Sequence, residues 1–327
     1  MKIALDGMGG DFAPKNNIEG AIDALSNPAL EILLVGIQEE LEQQLSNYDF
    51  DKQRITVIPS EGAITDSEQP AIAVKRKVNA SINVCSGLVK KGVASGFLSC
   101  GNSGATFASA TGMFGLFEGL RKPCVGAAIF GFAPETLILD LGLNVDPTPD
   151  QLIDFAALGV SQVKIIYGLE DPTVALLSNG SESNKGNRLV KESFELFHKS
   201  NLNFKGNIEG HDIASGKVNV VVCDGFTGNI LLKLIEGIGN EIFNYLRCEI
   251  KDQRYEQIIQ NISNKTNLMR EFGGGPIIGI NGIAVIGHGA SSPKAISNGI
   301  NSVESLANKD YINQSKNELI KLRESFL

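Results

Sequence analysis

The sequence predicts a layered α/β fold around a mixed, mostly parallel sheet, and two observations support this. Short apolar runs recur along the 327 residues, and several are apolar throughout, as in strands that are covered on both faces. Segments with helical spacing lie between most of these runs, which is typical of parallel strands joined through helices.

The strands are predicted, in chain order, from the apolar runs at 2–6, 31–36, 55–59, 96–100, 125–130, 136–140, 173–178, 218–223 and 283–287. Helices are predicted between most of these strands, at 15–26, 67–91, 104–112, 150–167, 185–199, 229–247 and 293–307. A short link with Gly131 and Pro134 joins the fifth and sixth runs. It predicts an antiparallel hairpin, and therefore a mixed sheet.

No low-complexity linker divides the chain, so we expect a single domain over residues 1–327. The polar segment 249–272 carries a few apolar residues at helical spacing and predicts a protruding helical arm. A solvated arm is favoured over one that faces a partner or a membrane, because its apolar face is small.

The charge balance argues against nucleic acid as a partner. The net charge is −8 and tryptophan is absent, so the chain lacks the basic field and the stacking platforms of nucleic-acid-binding proteins. Basic residues nevertheless cluster at Lys75, Arg76 and Lys77, with Lys90 and Lys91 further along. A solvated face is the default interpretation of this cluster, and docking of an acidic partner is the alternative.

Cysteine, histidine and the N-terminal segment predict a cytoplasmic protein without a metal. The five cysteines contain no CxxC pair and the three histidines show no metal-binding spacing. The segment MKIALDGMGG turns polar too soon for a signal peptide, and no apolar run is long enough to span a bilayer.

Three junctions between an apolar run and a helix share paired glycines and small polar residues. They read GMGGD after KIALD, GNSGA after GFLSC and GFTGN after VVVCD. Glycine lets backbone N–H groups converge, and a helix start adds partial positive charge, so each turn can bind an anion. Because the carboxyl ends of parallel strands meet at one edge, the three turns predict a phosphate pocket lined by amides.

Further candidates also follow predicted strands. Lys185, beside Gly186, is equally compatible with a phosphate contact and with a solvated surface lysine. His288, in GHGAS, could bind or catalyse. Cys223, at the end of VVVC, is more typical of a buried strand residue than of a nucleophile.

Eight motifs then occur in order from Met1 to about Ala307: DGMGGDFAPK, CGNSGA, DLGLNVD, NKGN, GNIEGHD, CDGFTGN, GGGPIIGINGI and GHGAS. Together they resemble the PlsX-type phosphate acyltransferases of bacterial phospholipid synthesis. The resemblance implies a three-layer α/β/α fold of the isocitrate/isopropylmalate dehydrogenase type, shared with phosphotransacetylases. It also implies a homodimer that transfers a fatty acyl group from acyl–acyl carrier protein to inorganic phosphate without metal or cofactor. A membrane glycerol-3-phosphate acyltransferase would use the acyl phosphate, and the cytosolic enzyme would associate peripherally with the membrane.

The resemblance also implies the catalytic residues. It puts the catalytic lysine at Lys185 and the catalytic asparagine at Asn229, which the residues alone did not distinguish from Asp224. We expect Lys185 to neutralise phosphate and Asn229 to donate to the thioester oxygen. The candidate phosphate- and substrate-binding residues come from the same motifs: Asp6, Gly9, Gly10, Asp11, Gly101, Asn102, Ser103, Gly104, Asn144, Asp224, Gly225, Thr227, Gly228 and His288.

Three alternatives stay open from the sequence. The nearest is a phosphotransacetylase that acts on acyl-CoA. A metal-dependent NAD(P) dehydrogenase is disfavoured, because prolines interrupt the helical spacing between Asp146 and Asp150 and no GxGxxG follows a strand. A non-catalytic carrier-protein-binding module would bind its partner without phosphate-dependent loss of the thioester.

Overall fold

The computed structural model describes residues 1–266 and 273–324, and the continuously apolar runs form its strands. The strands are β1 (Lys2–Asp6), β2 (Glu31–Gly36), β3 (Ile55–Pro59), β4 (Gly96–Ser99), β5 (Cys124–Ala127), β6 (Leu137–Leu139), β7 (Thr173–Leu177), β8 (Asn203–Ile208), β9 (Val220–Val222), β10 (Gly275–Ile278) and β11 (Ile283–Ile286). Every predicted strand is present, with bounds that differ by at most a few residues.

Helices separate most of these strands, as predicted. They are α1 (Lys15–Ala24), α2 (Gln38–Leu45), α3 (Pro70–Arg76), α4 (Ser81–Lys90), α5 (Ser103–Phe114), α6 (Pro149–Tyr167), α7 (Arg188–Lys199), α8 (Gly210–Ala214), α9 (Gly225–Glu249), α10 (Glu256–Thr266), α11 (Pro293–Asn308) and α12 (Tyr311–Glu324). A 3₁₀ turn, Gln253–Tyr255, precedes α10.

The chain divides into two compact units. The first comprises residues 1–118 and 270–312, and the second comprises residues 119–269 and 313–327, of which the structure describes the parts given above. The predicted single domain over residues 1–327 stays a prediction.

The first unit contains a sheet with the order β3-β2-β1-β4-β11-β10. All neighbouring strands are parallel except β10 and β11, which form an antiparallel pair. Helices α1 and α11 pack together and contact β1, whereas α4 and α5 form a second pair, of which α4 contacts β1, β2 and β4. Helices thus cover both faces, which explains why β1, β2 and β4 are buried almost throughout.

The second unit contains a sheet with the order β5-β6-β9-β7-β8. Strands β5 and β6 form the predicted antiparallel hairpin, and the remaining neighbours are parallel. Helix α6 lies on one face, where Gly159 leaves room for Leu139 and Val220. On the other face, Val221 and Cys223 belong to an apolar cluster with residues of α8 and α9, so Cys223 is a buried strand residue as predicted.

Several elements differ from the sequence-based expectation. The predicted helix at 67–91 is two helices, because Asn83 of α4 donates to the carbonyls of Val74 and Lys77 and thereby ends α3. The helix expected at 229–247 already begins at Gly225. The elements that the sequence pattern missed are α2, α8, α12, β8 and β10.

The predicted arm at 249–272 is helical over Glu256–Thr266, and its residues 267–272 lie outside the described part of the chain. This helix, α10, packs against α9 and buries Ile259. The C-terminal end of α10 also contacts the segment between β5 and β6, because the N–H of Gly131 donates to the carbonyl of Lys265 at 2.8 Å. Among the described residues, no helix is both long and apolar enough to cross a bilayer.

Candidate active site

In the first unit, three glycine-containing turns meet at one edge of the sheet. Strands β1, β4 and β11 are adjacent and parallel, so the GMGGD and GNSGA turns and the GHGAS segment follow their carboxyl ends. Gly9 and Gly101 are in backbone contact, since a Cβ on Gly9 would lie 2.6 Å from the nitrogen of Gly101. Gly10 has a φ of +110°, and the N–H of Asp11 donates to the carbonyl of Gly289 at 2.8 Å.

Asp6, one of the predicted site residues, is buried beneath these turns. It accepts a hydrogen bond of 2.7 Å from the Ser99 hydroxyl. Burial raises its pKa above the ordinary 3.8, although the hydrogen bonds from Ser99 and from the N–H of Met8 act in the opposite direction. Asn17, which the sequence did not single out, donates to three carbonyls of the GMGGD region at 2.9–3.1 Å. The Asn17 and Ser99 contacts hold the first turn in place, and the predicted substrate-binding role of Asp6 stays a prediction.

The second turn opens helix α5. The Asn102 side chain accepts from the N–H of Ala105 at 2.8 Å and donates to Asp66 at 2.7 Å, so it caps the helix. Within the described residues, the N–H groups of Gly10, Ser103 and Gly104 donate to no protein acceptor. These three amides are among the predicted donors of the first unit that an anion could still use.

His288 lies on the exposed part of the GHGAS segment. Its Nδ1 accepts from the N–H of Ala290 at 3.2 Å, which fixes the ring against its own turn. The preceding residue is tied to the sheet, because the N–H of Gly287 donates to the Ser99 carbonyl at 2.8 Å. The imidazole is therefore held at the same edge as the other two turns.

In the second unit, three further candidate segments begin at one edge of the sheet, where three parallel strands end. Strands β6, β9 and β7 are adjacent and parallel. The segments that follow them carry Asn144, Asn229 and Lys185, respectively. These three predicted site residues therefore lie at the carboxyl edge of the same sheet.

The GFTGN turn is the first turn of helix α9 rather than a loop before it. Asp224 is the N-cap and accepts hydrogen bonds of 2.8 Å from the N–H and the hydroxyl of Thr227. The N–H of Gly225 donates to the carbonyl of Asn144 at 2.7 Å, and that of Gly228 donates to the carbonyl of Asp224 at 3.0 Å. Contrary to the prediction, the amides of Gly225 and Gly228 are thus occupied by the protein and not open to phosphate.

Close packing explains why both positions are glycine. A Cβ on Gly228 would lie 1.9 Å from the carbonyl oxygen of Asp140, and one on Gly225 would lie 2.9 Å from the backbone of Asn144. Asp140 is fully buried and accepts from the N–H of Val125 at 3.0 Å and from Asn144 Nδ2 at 2.9 Å. Burial raises the pKa of Asp140, with the hydrogen bonds from Val125 and Asn144 opposing it.

The position of Asp140 at the end of an apolar run is a sequence signal for its role. This carboxylate ends the apolar run TLILD, as Asp6 ends KIALD, and both are buried at the start of a glycine-containing segment. A carboxylate at the end of a buried strand is costly unless N–H or hydroxyl groups surround it. Its position therefore points to a tightly hydrogen-bonded turn.

Asn229 and Lys185 both present unengaged donors. Asn229 is exposed on the second turn of α9, and its side chain forms no hydrogen bond within the described residues. Gly142, with a φ of +131°, leaves open space beside it, since a Cβ there would lie 3.4 Å from Asn229 Oδ1.

Lys185 is exposed and, among the described residues, forms no ion pair. Its stem packs against Gly180, where a Cβ would lie 2.8 Å from Lys185 Cγ. The segment around it is ordered by short contacts, because the N–H of Gly186 donates to Asn179 Oδ1 at 2.9 Å. Gly186 itself has a φ of +100°, which favours glycine at that position.

Comparison with known proteins decides the family. A family model described as "Fatty acid synthesis protein" matches residues 1–314. A phosphate acyltransferase from Syntrophomonas wolfei is 41% identical, covering 98% of this chain and 99% of its own length. Another, from Dictyoglomus thermophilum, is 39% identical and covers 93% of each chain. The chain belongs to the phosphate acyltransferase family.

Membership in the phosphate acyltransferase family makes this protein an acyltransferase. The fold has a wider distribution. A phosphotransacetylase from Streptococcus pyogenes, only 19% identical, matches 95% of this chain with a TM-score of 0.62. The predicted fold class, a mostly parallel mixed sheet with helices related to phosphotransacetylases, is confirmed. The single phosphate pocket predicted from the three turns stays a prediction, as do the roles of the site residues.

Proposed function

We propose that this acyltransferase moves a fatty acyl group from acyl–acyl carrier protein to inorganic phosphate and releases acyl phosphate for phosphatidic acid synthesis. A phosphate oxygen attacks the thioester carbonyl carbon, the carbon–sulfur bond breaks, and the carrier-protein thiol leaves. The observation that carries the proposal is the pair of unengaged donors, Asn229 and Lys185, at the carboxyl edge of one sheet.

The reaction requires mainly that the protein position the two substrates and stabilise their negative charge. Phosphate is already ionised at neutral pH and the thioester is activated, so neither a covalent intermediate nor a strong base is needed. Lys185 neutralises phosphate, and Asn229 Nδ2 donates to the oxygen that becomes an oxyanion.

The reaction is tested by mixing the protein with long-chain acyl–carrier protein, with and without phosphate, and trapping acyl phosphate with hydroxylamine. Phosphate-dependent hydroxamate is expected from the carrier-protein thioester. The same acyl group on coenzyme A forms the comparison arm. Turnover of the CoA thioester alone would instead favour a phosphotransacetylase-like donor, and binding without hydroxamate would favour a carrier-binding module.

Substitutions at two positions, Asn229 and Lys185, test the roles. Asn229→Ala removes one oxyanion donor and should lower kcat by about 10²–10³-fold. Asn229→Asp, which keeps the size of the side chain and loses the donor, should fall similarly. Lys185→Ala should raise the KM for phosphate, whereas Lys191→Ala, an exposed lysine on α7, is the matched control. Normal turnover in Asn229→Ala, or an unchanged phosphate dependence in Lys185→Ala, would contradict these assignments.

A homodimer is also part of the proposal, and α9 supports it. One side of this helix exposes six large apolar side chains, each at least 38% accessible: Phe226, Ile230, Leu234, Ile238, Ile242 and Tyr245. The stripe extends over about 28 Å at 1.5 Å per residue. An apolar stripe of this length on a protein surface is typical of a surface that a partner covers.

The product suggests where the enzyme works. Acyl phosphate joins a reactive anhydride to an apolar chain, and a membrane glycerol-3-phosphate acyltransferase would consume it. Peripheral association of this chain with the inner face of the membrane would shorten the path between the two enzymes. Recovery of the protein with vesicles of membrane lipids by co-sedimentation, and its absence from the pellet without them, tests that part.

A further inference from the structure

Helix α3 and the segment before it form an open groove on the first unit. The groove has a volume of about 440 Å³ and is lined by Glu68, Gln69, Ile72, Ala73, Arg76 and Lys77. Ile72, which lines the groove, is 54% accessible, and Val78, just after it in the chain, is 67% accessible. The surface therefore combines a concave shape with apolar side chains that no other part of the described chain covers.

The groove carries positive charge on a protein that is negative overall. Lys75, Arg76 and Lys77 are consecutive and exposed, whereas the net charge of the chain is −8. Lys77 is paired with Glu68 at 2.7 Å. Among the described residues, Lys75 and Arg76 form no ion pair. Arg76 lines the groove and Lys75 precedes it in the chain, so two uncompensated cations in and beside the groove attract a partner that carries carboxylates.

The groove adjoins one of the candidate anion-binding turns. Asp66, just before it, accepts a hydrogen bond of 2.7 Å from Asn102 Nδ2. Pro70, the first residue of α3, packs on Gly104, where a Cβ would lie 2.8 Å from Pro70 Cγ. A partner in the groove would therefore lie beside the turn that holds the open amides of Ser103 and Gly104.

We infer that the α3 groove is the docking surface for the carrier protein that delivers the acyl thioester. This inference rests on the proposed function for the identity of the partner. An acidic helix of the carrier would place carboxylates against Lys75 and Arg76 and an apolar side chain against Ile72. An anionic membrane would attract the same cations, but a groove fits a protruding side chain better than a flat surface.

The basic residues Lys90 and Lys91 provide a matched control. Helix α4 begins beside the end of α3, where Asn83 donates to the carbonyl of Lys77. Lys90 is the last residue of α4 and lies about 13 Å from the start of that helix, at 1.5 Å per residue. The double variant Lys90→Glu/Lys91→Glu changes the net charge as much as Lys75→Glu/Arg76→Glu does. It leaves the groove intact.

The test measures binding of fluorescently labelled acyl–carrier protein to the full-length chain by anisotropy, and turnover separately by hydroxamate formation. Lys75→Glu/Arg76→Glu should raise the Kd of the carrier protein at least tenfold and raise its KM in parallel, with the KM for phosphate unchanged. The control double variant should stay within twofold of the wild type. Raising the salt from 0.05 to 0.5 M should reduce the difference, because the contact is electrostatic.

The outcomes separate the two proposals. If the wild type binds the carrier protein through this groove but forms no hydroxamate, the docking surface stands and the proposed reaction fails. If hydroxamate forms but both double variants bind the carrier alike, or if no binding is detected, the docking surface is overturned. Loss of binding to anionic phosphatidylglycerol vesicles in Lys75→Glu/Arg76→Glu, with unchanged carrier binding, would also overturn it and assign the surface to a membrane.

Discussion

At the scale of single residues, the motif glycines are the points where backbone segments approach most closely. Gly9 touches Gly101 in the first unit, and Gly228 touches the carbonyl of Asp140 in the second. The glycine requirement of GFTGN therefore comes from packing against the DLGLN segment. It fixes the start of α9, on which Asn229 is carried one turn later.

Gly228→Ala should destabilise the protein and impair turnover together. Its Cβ would lie 1.9 Å from a backbone oxygen, so α9 must shift, and overpacking of this kind costs about 3 kcal/mol. Gly237→Ala, in the same helix with nothing within 4 Å, is the control and should stabilise by about 0.5–1 kcal/mol. Urea unfolding of both variants measures the difference, and equal stabilities would contradict the packing argument.

Asp140 gives stability a specific dependence on pH. Its pKa is raised above 3.8 in the folded state, so between 3.8 and the raised value the native protein binds more protons than the unfolded chain. The contribution of Asp140 to the free energy of unfolding is therefore fully present below 3.8 and is lost as the pH rises through the raised pKa. Asp140→Asn cannot titrate, and so it isolates this contribution.

The measurement is urea unfolding of wild type and Asp140→Asn in steps from pH 4 to pH 8. The free energy of unfolding of the wild type minus that of the variant should fall as the pH rises and then level off. The slope cannot exceed about 1.4 kcal/mol per pH unit for one proton. A difference that grows with pH would mean that the carboxyl pKa is lowered, and the assignment of burial as the dominant cause would be wrong.

At the scale of elements, the sequence predicts the strands that are continuously apolar. It misses the elements and helix breaks that depend on contacts with other parts of the chain. Strands β1, β2 and β3 agree residue for residue with their apolar runs. Strand β8, at the edge of its sheet, reads NFKGNI and lacks the apolar pattern because only its end is buried. The break between α3 and α4 depends on the Asn83 side chain reaching two carbonyls, which no periodicity reveals.

In the candidate site, too, the sequence predicts some features and misses those that depend on contacts between segments. The glycine-rich motifs locate the carboxyl ends of the strands correctly, since this follows from chain order and parallel pairing. Which amides remain open does not follow, because the N–H of Gly225 is taken by the carbonyl of Asn144, from a different strand–loop junction. Asp224 caps a helix that begins at Gly225, whereas the paired glycines after it predict a loop and a helix that starts only at Asn229.

The exposed stripe of α9 leads to a prediction about assembly. Leu234→Asp should shift the protein from dimer to monomer, because a carboxylate in the centre of a covered apolar surface is costly to desolvate. Ile320→Asp on α12 is the control, since Ile320 is 54% accessible and Leu234 is 56% accessible. Light scattering after gel filtration gives the mass, and a wild type that is already monomeric would contradict the proposed dimer.

At the scale of the whole molecule, the protein must capture an anion against its own field. The net charge of −8 repels phosphate at long range, whereas Lys185 attracts it only on contact. Salt weakens the long-range repulsion and the contact attraction to different extents. The Debye length falls from about 30 Å at 0.01 M to about 8 Å at 0.15 M, so the long-range repulsion is screened before the contacts are.

Raising the ionic strength over this range should therefore lower the KM for phosphate, by about twofold for a field of this size. Chloride and acetate salts are compared, so that competition from the added anion is separated from screening. Lys185→Ala should start from a higher KM and show the same relative fall, because the repulsion comes from the whole surface. A KM that rises with salt in the wild type but not in Lys185→Ala would mean that the local cation outweighs the global field, and that substrate capture is set by one side chain.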